Sequence, residues 1–156
     1  MIVWRLEKEK YKGMAFTGQG AALAPGRWNP RGIPVVYTSA TLSLAALEIL
    51  VHAVSRERLR KVKMVSISAE ILEDMPVTRI EIGDLPKNWR TYNPSPHELQ
   101  VIGAEWLKGG KSAVLSVPSV VVPSEHNYLL NPNHPDFSRI KINTPRSFTF
   151  DTRLFK

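Results

Sequence analysis

Between residues 42 and 54 a single carboxylate, Glu48, sits among Leu44, Ala45, Ala46, Leu47, Ile49, Leu50 and Val51. An ionised carboxylate on so apolar a segment is costly unless something pairs with it. Whatever this chain folds into has to supply that partner. The segment reads as a helix from about Leu42 to Val54, capped by Ser39 or Thr41. Its apolar residues occupy nearly every face, which predicts a buried helix rather than a surface one.

The approach to this helix is shaped by turns. Pro25-Gly26 and Pro30-Arg31-Gly32 are turn signals, and between them they hold Arg27-Trp28-Asn29 in a short loop. Ile33 to Tyr37 then reads as a β-branched strand, with Pro34 near its start, where a missing N–H is tolerable.

The remaining elements follow from pattern. Residues 2–6 predict a short strand, and the glycine- and alanine-rich residues 7–24 a loop or frayed helix. The basic cluster Arg56–Lys63 brings the chain back into solvent, Lys63–Ser68 alternates as a strand, and Ile80–Ile82 is a short one. Asp84-Leu85-Pro86 and Asn93-Pro94-Ser95-Pro96 read as loop, with Trp89 and Tyr92 packing underneath. A second helix is predicted from His97 to Leu107, ended by Gly109-Gly110. Ala113–Val117 and Ser119–Val122 are strand-like runs divided by Pro118, followed by a polar string from Pro123 to Tyr128. Arg139–Ile142 and Ser147–Phe150 are the last expected strands. With no internal repeat or linker, the 156 residues predict one α+β domain.

Composition removes several function classes. No run of 18 apolar residues is present, so no transmembrane helix or membrane partner is expected. Met1 to Arg5 lacks the layout of a signal peptide, and the absence of cysteine excludes disulfides and thiolate catalysis. Both fit a cytoplasmic protein. The formal charge of +7 attracts polyanions or acidic partners, with a local excess at Arg56, Arg58, Arg60, Lys61 and Lys63. No basic tail, zinc finger or helix-turn-helix accompanies it, which argues against direct nucleic-acid binding. His52, His97, His126 and His134 form no metal-ligand spacing, so they read as surface or hydrogen-bonded histidines and no metal is expected. Gly18-Gln19-Gly20 lacks the GK[ST] of a phosphate loop, and no GxSxG nucleophile elbow occurs.

Arg27, Tyr37 and Glu48 are left, with the serines near Pro118 and Pro123. Arginine suits bidentate recognition of phosphate or carboxylate. Tyr37 offers a flat ring and a hydroxyl. A carboxylate such as Glu48 can stabilise an oxocarbenium-like transition state. Spacing alone leaves two readings open: an active site, or a buried Arg27–Glu48 ion pair with Tyr37 in the core.

The string Gly26-Arg27-Trp28-Asn29-Pro30, with Gly32, Pro34, Val35, Tyr37 and Ala46-Leu47-Glu48, resembles the first block of the RES domain. Val117 to Pro123, then Glu125, Asn127, Tyr128 to Pro132 and His134-Pro135, resemble its second block, and Phe150 to Leu154 its end. Trp4-Arg5 resembles its opening, so the likeness spans nearly the whole chain. The resemblance implies a mixed, split β-core like that of ADP-ribosyltransferases, flanked by helices. It implies a toxin of a type II toxin–antitoxin pair, with an Xre-like helix-turn-helix antitoxin as partner and as the DNA-contacting member. The activity implied is cleavage of the nicotinamide–ribose bond of NAD, as substrate rather than cofactor, by hydrolysis or phosphorolysis; some members ADP-ribosylate a protein instead. Carried over, the family's arginine, tyrosine and glutamate fall on Arg27, Tyr37 and Glu48. Its serine falls on Ser119, with Ser124 as a second claimant, and Arg5, Trp28 and Asn127 are further NAD ligands. A positively lined cleft would be occluded by an acidic segment of the antitoxin.

Overall fold

The structure, a computed structural model, describes residues 1–92 and 97–156. The loop expected at Asn93-Pro94-Ser95-Pro96 lies outside the described residues. Strand β1 (Ile2–Lys8) leads through a 3-10 turn (Glu9–Met14) to the short helix α1 (Gln19–Leu23). Strand β2 (Val36–Ser39) feeds helices α2 (Leu42–His52) and α3 (Arg56–Lys61). Strands β3 (Met64–Glu70) and β4 (Val77–Arg79) precede helix α4 (His97–Gly109). Strands β5 (Val114–Pro118), β6 (His126–Leu130), β7 (Lys141–Ile142) and β8 (Arg146–Phe148) complete the sheet.

The strands run in the order β4-β5-β6-β2-β1-β3-β7, with β8 also on β3. β4 and β5 are parallel and the other pairs antiparallel, so the sheet is mixed. It is also split. β1 pairs with β3 from Ile2↔Glu70 to Lys8↔Met64, but meets β2 only at Trp4↔Ser39. Beyond that contact the two strands diverge, and Arg5 Nη1 reaches across to donate to the Tyr37 carbonyl at 3.0 Å. The guanidinium thus satisfies a carbonyl that a longer ladder would have paired. The gap at the split is the root of the cleft described below.

Three apolar clusters hold the sheet. Val3, Val36, Ile67, Val114 and Leu130 lie in one, and Trp28, Trp89, Leu99, Trp106, Leu115 and Leu129 in a second that includes α4. Neighbours Val114 and Leu115, and Leu129 and Leu130, fall in different clusters, as the two-residue period of a strand requires. α2 and α3 contribute Ala45 and Leu59 to the third, with Leu6, Met64 and Phe150.

Several elements differ from expectation for identifiable reasons. Ser119–Val122 is not a strand: the Ser119 hydroxyl accepts from Val121 N and Val122 N at 3.1 and 3.0 Å and bends the chain. The polar string instead runs into β6, whose inner residues Tyr128–Leu130 are buried while His126 and Asn127 are not. The strand expected at 33–37 begins after Pro34 and runs Val36–Ser39; residues 80–82 form no strand, because β4 ends at Arg79 and a 3-10 turn starts at Ile82. The basic cluster forms α3, capped by the Ser55 hydroxyl, and Thr41 rather than Ser39 caps α2. The expected 139–142 strand shrinks to β7 behind a 3-10 turn (Pro135–Arg139), and the 147–150 strand is β8. α2 is not buried all round: Leu44 and Ala45 are, but Val51 is 58% exposed, because one side alone packs on the sheet. Trp89 is buried as expected, whereas Tyr92 is 63% exposed. Among the described residues no helix is long and apolar enough to cross a membrane.

Candidate active site

A cleft of about 1050 Å³ opens at the split between β1 and β2. It is bordered by Arg5 and Glu7 of β1, Tyr37 and Ser39 of β2, Glu48 and His52 of α2, Arg27, and Asn127 of β6. Five separate stretches of chain therefore supply its polar groups.

Glu48 is the hub. Its Oε1 accepts from Ser119 Oγ at 2.8 Å and Asn127 Nδ2 at 2.6 Å, and its Oε2 stands 3.5 Å from His52 Nε2. Its side chain is 19% exposed. Burial pushes the carboxyl pKa up, but the bonds from His52, Asn127 and Ser119 outweigh it and hold it below the usual glutamate value. Each donor is itself fixed. Ser119 is fully buried, with its oxygen accepting two backbone N–H groups, so its proton is committed to Glu48. Asn127 Oδ1 accepts from Ser39 Oγ at 2.7 Å, which settles which end of the amide faces the carboxylate.

The loop before β2 is tied by Asn29, which is fully buried. Its Oδ1 accepts from Gly26 N at 3.0 Å and Tyr37 OH at 2.7 Å, and its Nδ2 is shared among the carbonyls of Ala21, Pro30 and Ile33. Tyr37 OH in turn accepts from Trp28 N. Burial pushes the Tyr37 pKa far up, so the phenol stays neutral and keeps donating. Gly26 lies against this phenol: a Cβ there would sit 2.5 Å from Tyr37 Oη. Arg27 Nη1 donates to the carbonyls of Trp89 and Thr91 at 2.8 and 2.9 Å. Burial pulls the arginine below its usual value, against the field of Glu48. Among the described residues Arg27 forms no ion pair. Of the two readings left open by spacing, the direct Arg27–Glu48 pair is therefore absent.

The chain matches the RES domain family over residues 2–151. It belongs to that family. A curated relative, "Toxin Res" of Yersinia enterocolitica, is 38% identical over 155 residues, covering 99% of both chains. Another, "Prs ADP-ribosylating toxin" of Sphingobium sp., is 33% identical over 98% of this chain and 96% of its own. Among solved structures, a chain of the M. tuberculosis MbcT–MbcA toxin–antitoxin complex superposes with a TM-score of 0.78. It covers 95% of this chain and 84% of its own at 14% identity, a likeness of fold.

Within this RES domain, Arg5, Arg27, Tyr37, Glu48 and Asn127 all border one cleft, and Ser119 stands behind Glu48. Ser124 and Trp28 are placed differently from the others. Ser124 is exposed, lies outside the cleft lining and makes no bond to Glu48; the turn that follows Ser119 carries it away. Trp28 borders the cleft and is only 4% exposed, packed in the core cluster with Trp89 and Trp106. Three further residues shape the site without a functional signal in the sequence. Ser39, a candidate cap in the sequence, instead orients Asn127. Asn29 gave no chemical signal of its own. His52 was read only as a surface or hydrogen-bonded histidine, yet it lies four residues after Glu48, the spacing at which helical neighbours meet, and packs 5.4 Å from the Tyr92 ring.

The hydrogen bonds make a pH prediction. Because the folded-state pKa of Glu48 is depressed, its ionised form and the stability it contributes persist above the unfolded value and are lost as pH falls through the folded one. In Ser119→Ala one compensating donor is gone while burial remains, so the acidic limb of activity should move to higher pH. The pH profile of kcat/KM measures this; an unmoved limb would show that Ser119 does not tune Glu48.

Proposed function

We propose that this chain is the toxin of a toxin–antitoxin pair and that it cleaves the nicotinamide–ribose bond of NAD. The observation that carries the reading is Glu48: an ionised carboxylate on a cleft wall, held by Ser119, Asn127 and a half-exposed histidine, and not committed to an arginine. Such a group is placed to accept from ribose hydroxyls and to favour positive charge at the anomeric carbon. The RES family match and the "Toxin Res" name of a relative support the biological half of the reading.

In the proposed step the bond from C1′ to the nicotinamide nitrogen breaks and its electron pair neutralises the pyridinium. Positive charge gathers on the ribose ring beside Glu48. An incoming oxygen from water or phosphate closes on C1′ and releases its proton. Arg27 would hold the pyrophosphate or the nicotinamide ribose, and the ring of Tyr37 would stack on the nicotinamide. The partner in this reading is an Xre-like antitoxin that occludes the cleft, and the site of action is the cytoplasm.

A second reading has its own support, since the Sphingobium relative is named for ADP-ribosylation. There a protein side chain replaces water at C1′. Labelled NAD with purified protein, alone, with phosphate and with cell extract, separates the outcomes: free ADP-ribose, ADP-ribose 1″-phosphate, or label on protein.

A further inference from the structure

The chain's excess charge is not at its cleft. Two arginines, Arg5 and Arg27, and two glutamates, Glu7 and Glu48, line the cleft and balance one another. The excess lies in two short segments. Residues 8–12 and 55–63 together hold eight lysines and arginines against Glu9 and Glu57, a net of six of the chain's seven formal charges. The fold brings these segments together: Lys8 pairs with Met64 in the sheet, and Glu9 N donates to the Lys63 carbonyl at 2.9 Å. All eight cations are exposed.

A groove of about 440 Å³ lies on this basic end, between α3, β8 and the C-terminal 3-10 turn (Thr152–Phe155). Leu59, Met64, Phe148, Phe150 and Phe155 border it, the three phenylalanines meeting edge to face at 5.0 and 5.8 Å. Arg60, Lys61 and Lys63 also border it; Lys61 is paired with Glu57, while Arg60 and Lys63 form no ion pair among the described residues. The groove shares no lining residue with the cleft, yet the turn at Glu9–Met14 connects them, with Glu9 at the groove and Tyr11 and Met14 at the cleft.

We propose that this groove docks an acidic polypeptide segment anchored by one apolar side chain. Charge complementarity selects the acid, and the phenylalanine-lined floor selects the anchor. A nucleic acid fits less well, because Phe150 is only 7% exposed and offers no open face for a base to stack on. The partner's identity as an antitoxin rests on the proposed function; the chemistry of the groove does not. A partner chain crossing the Glu9–Met14 turn would engage groove and cleft together, and joining two weak contacts on one chain multiplies their effect.

The test is fluorescence anisotropy on the full chain with a labelled peptide of alternating aspartate and glutamate around one phenylalanine. The same peptide with serine at the anchor and a labelled DNA duplex serve as comparisons. Arg60→Glu combined with Lys63→Glu should weaken the anchored peptide by about tenfold or more, in line with the loss of two charge contacts. The serine peptide should bind the native protein more weakly by a similar factor. Both substitutions lie on exposed positions, and NAD cleavage by the double variant should match that of the native chain. Absent binding of the anchored peptide, equal binding by the double variant, or equal binding of the serine peptide and the duplex would each overturn the proposal. Peptide binding is read without NAD, so it can fail or succeed independently of the proposed activity.

Discussion

Glu48→Gln is expected to lower nicotinamide release from NAD by about 10²–10³-fold or more, the effect of removing one preorganised electrostatic group. The substitution keeps the shape of the side chain. Its carbonyl oxygen can still accept from Ser119 Oγ and Asn127 Nδ2, so the scaffold around it has no reason to move. What disappears is the negative charge, and with it the carboxylate facing His52. Because the folded protein favours the ionised carboxyl over its neutral form, removing the charge should lower thermal stability modestly at neutral pH. A melting curve beside the rate measurement separates lost chemistry from lost fold. Full activity in a folded Glu48→Gln protein would remove the carboxylate from the proposed mechanism.

Gly103→Ala should destabilise the fold even though it raises helix propensity. Gly103 lies inside α4, where alanine would ordinarily gain about 1 kcal/mol through helix propensity. Here a Cβ would stand 1.7 Å from the Trp28 carbonyl oxygen and 2.8 Å from its carbon. The obstacle is backbone, which cannot rotate away as a side-chain tip can. Either α4 lifts or the 26–29 loop shifts. Gln100 of α4 donates to the Gly26 carbonyl at 3.0 Å, so both choices disturb the loop that presents Arg27. Overpacking of this kind costs about 1–3 kcal/mol and more where backbone must move. A fall in Tm of roughly 5–10 °C follows at a few degrees per kcal/mol. Differential scanning calorimetry reads it directly, and an unchanged Tm would mean that α4 and the loop are not in close contact. Substituting Gly109, where nothing lies within 4 Å of a Cβ, serves as the comparison.

Sequence reasoning recovered the elements whose side chains carry their own signal. Glu48 among leucines announced that polar partners must come from elsewhere, and they do. The alternation and apolar runs of β1, β3, β5 and α4 placed those elements to within a few residues. What failed was burial and pairing decided by distant contacts. β6 reads as a polar loop because its first residues, His126 and Asn127, are not buried. Ser119–Val122 reads as a strand because four apolar or β-compatible residues hide a hydroxyl that captures two backbone donors. Ser119 and Ser124 sit in identical Pro-Ser pairs, and only the turn between them decides which one meets Glu48. Asn29 has five hydrogen-bond contacts that no local pattern encodes. The helix α2 misled by being apolar on a side that no described element covers, as Leu47 and Val51 show. His52 could have been found, since its spacing from Glu48 is the ordinary neighbour distance on a helix.

The proposed chemistry requires the carboxylate cluster of Glu48, Ser119 and Asn127 to act on NAD. Purified, partner-free protein incubated with NAD, with and without phosphate, and assayed for free nicotinamide by chromatography is the direct measurement. The expected result is nicotinamide released in step with NAD loss, and release abolished by Glu48→Gln. An intact NAD pool under all these conditions, including the presence of cell extract as acceptor, would contradict it.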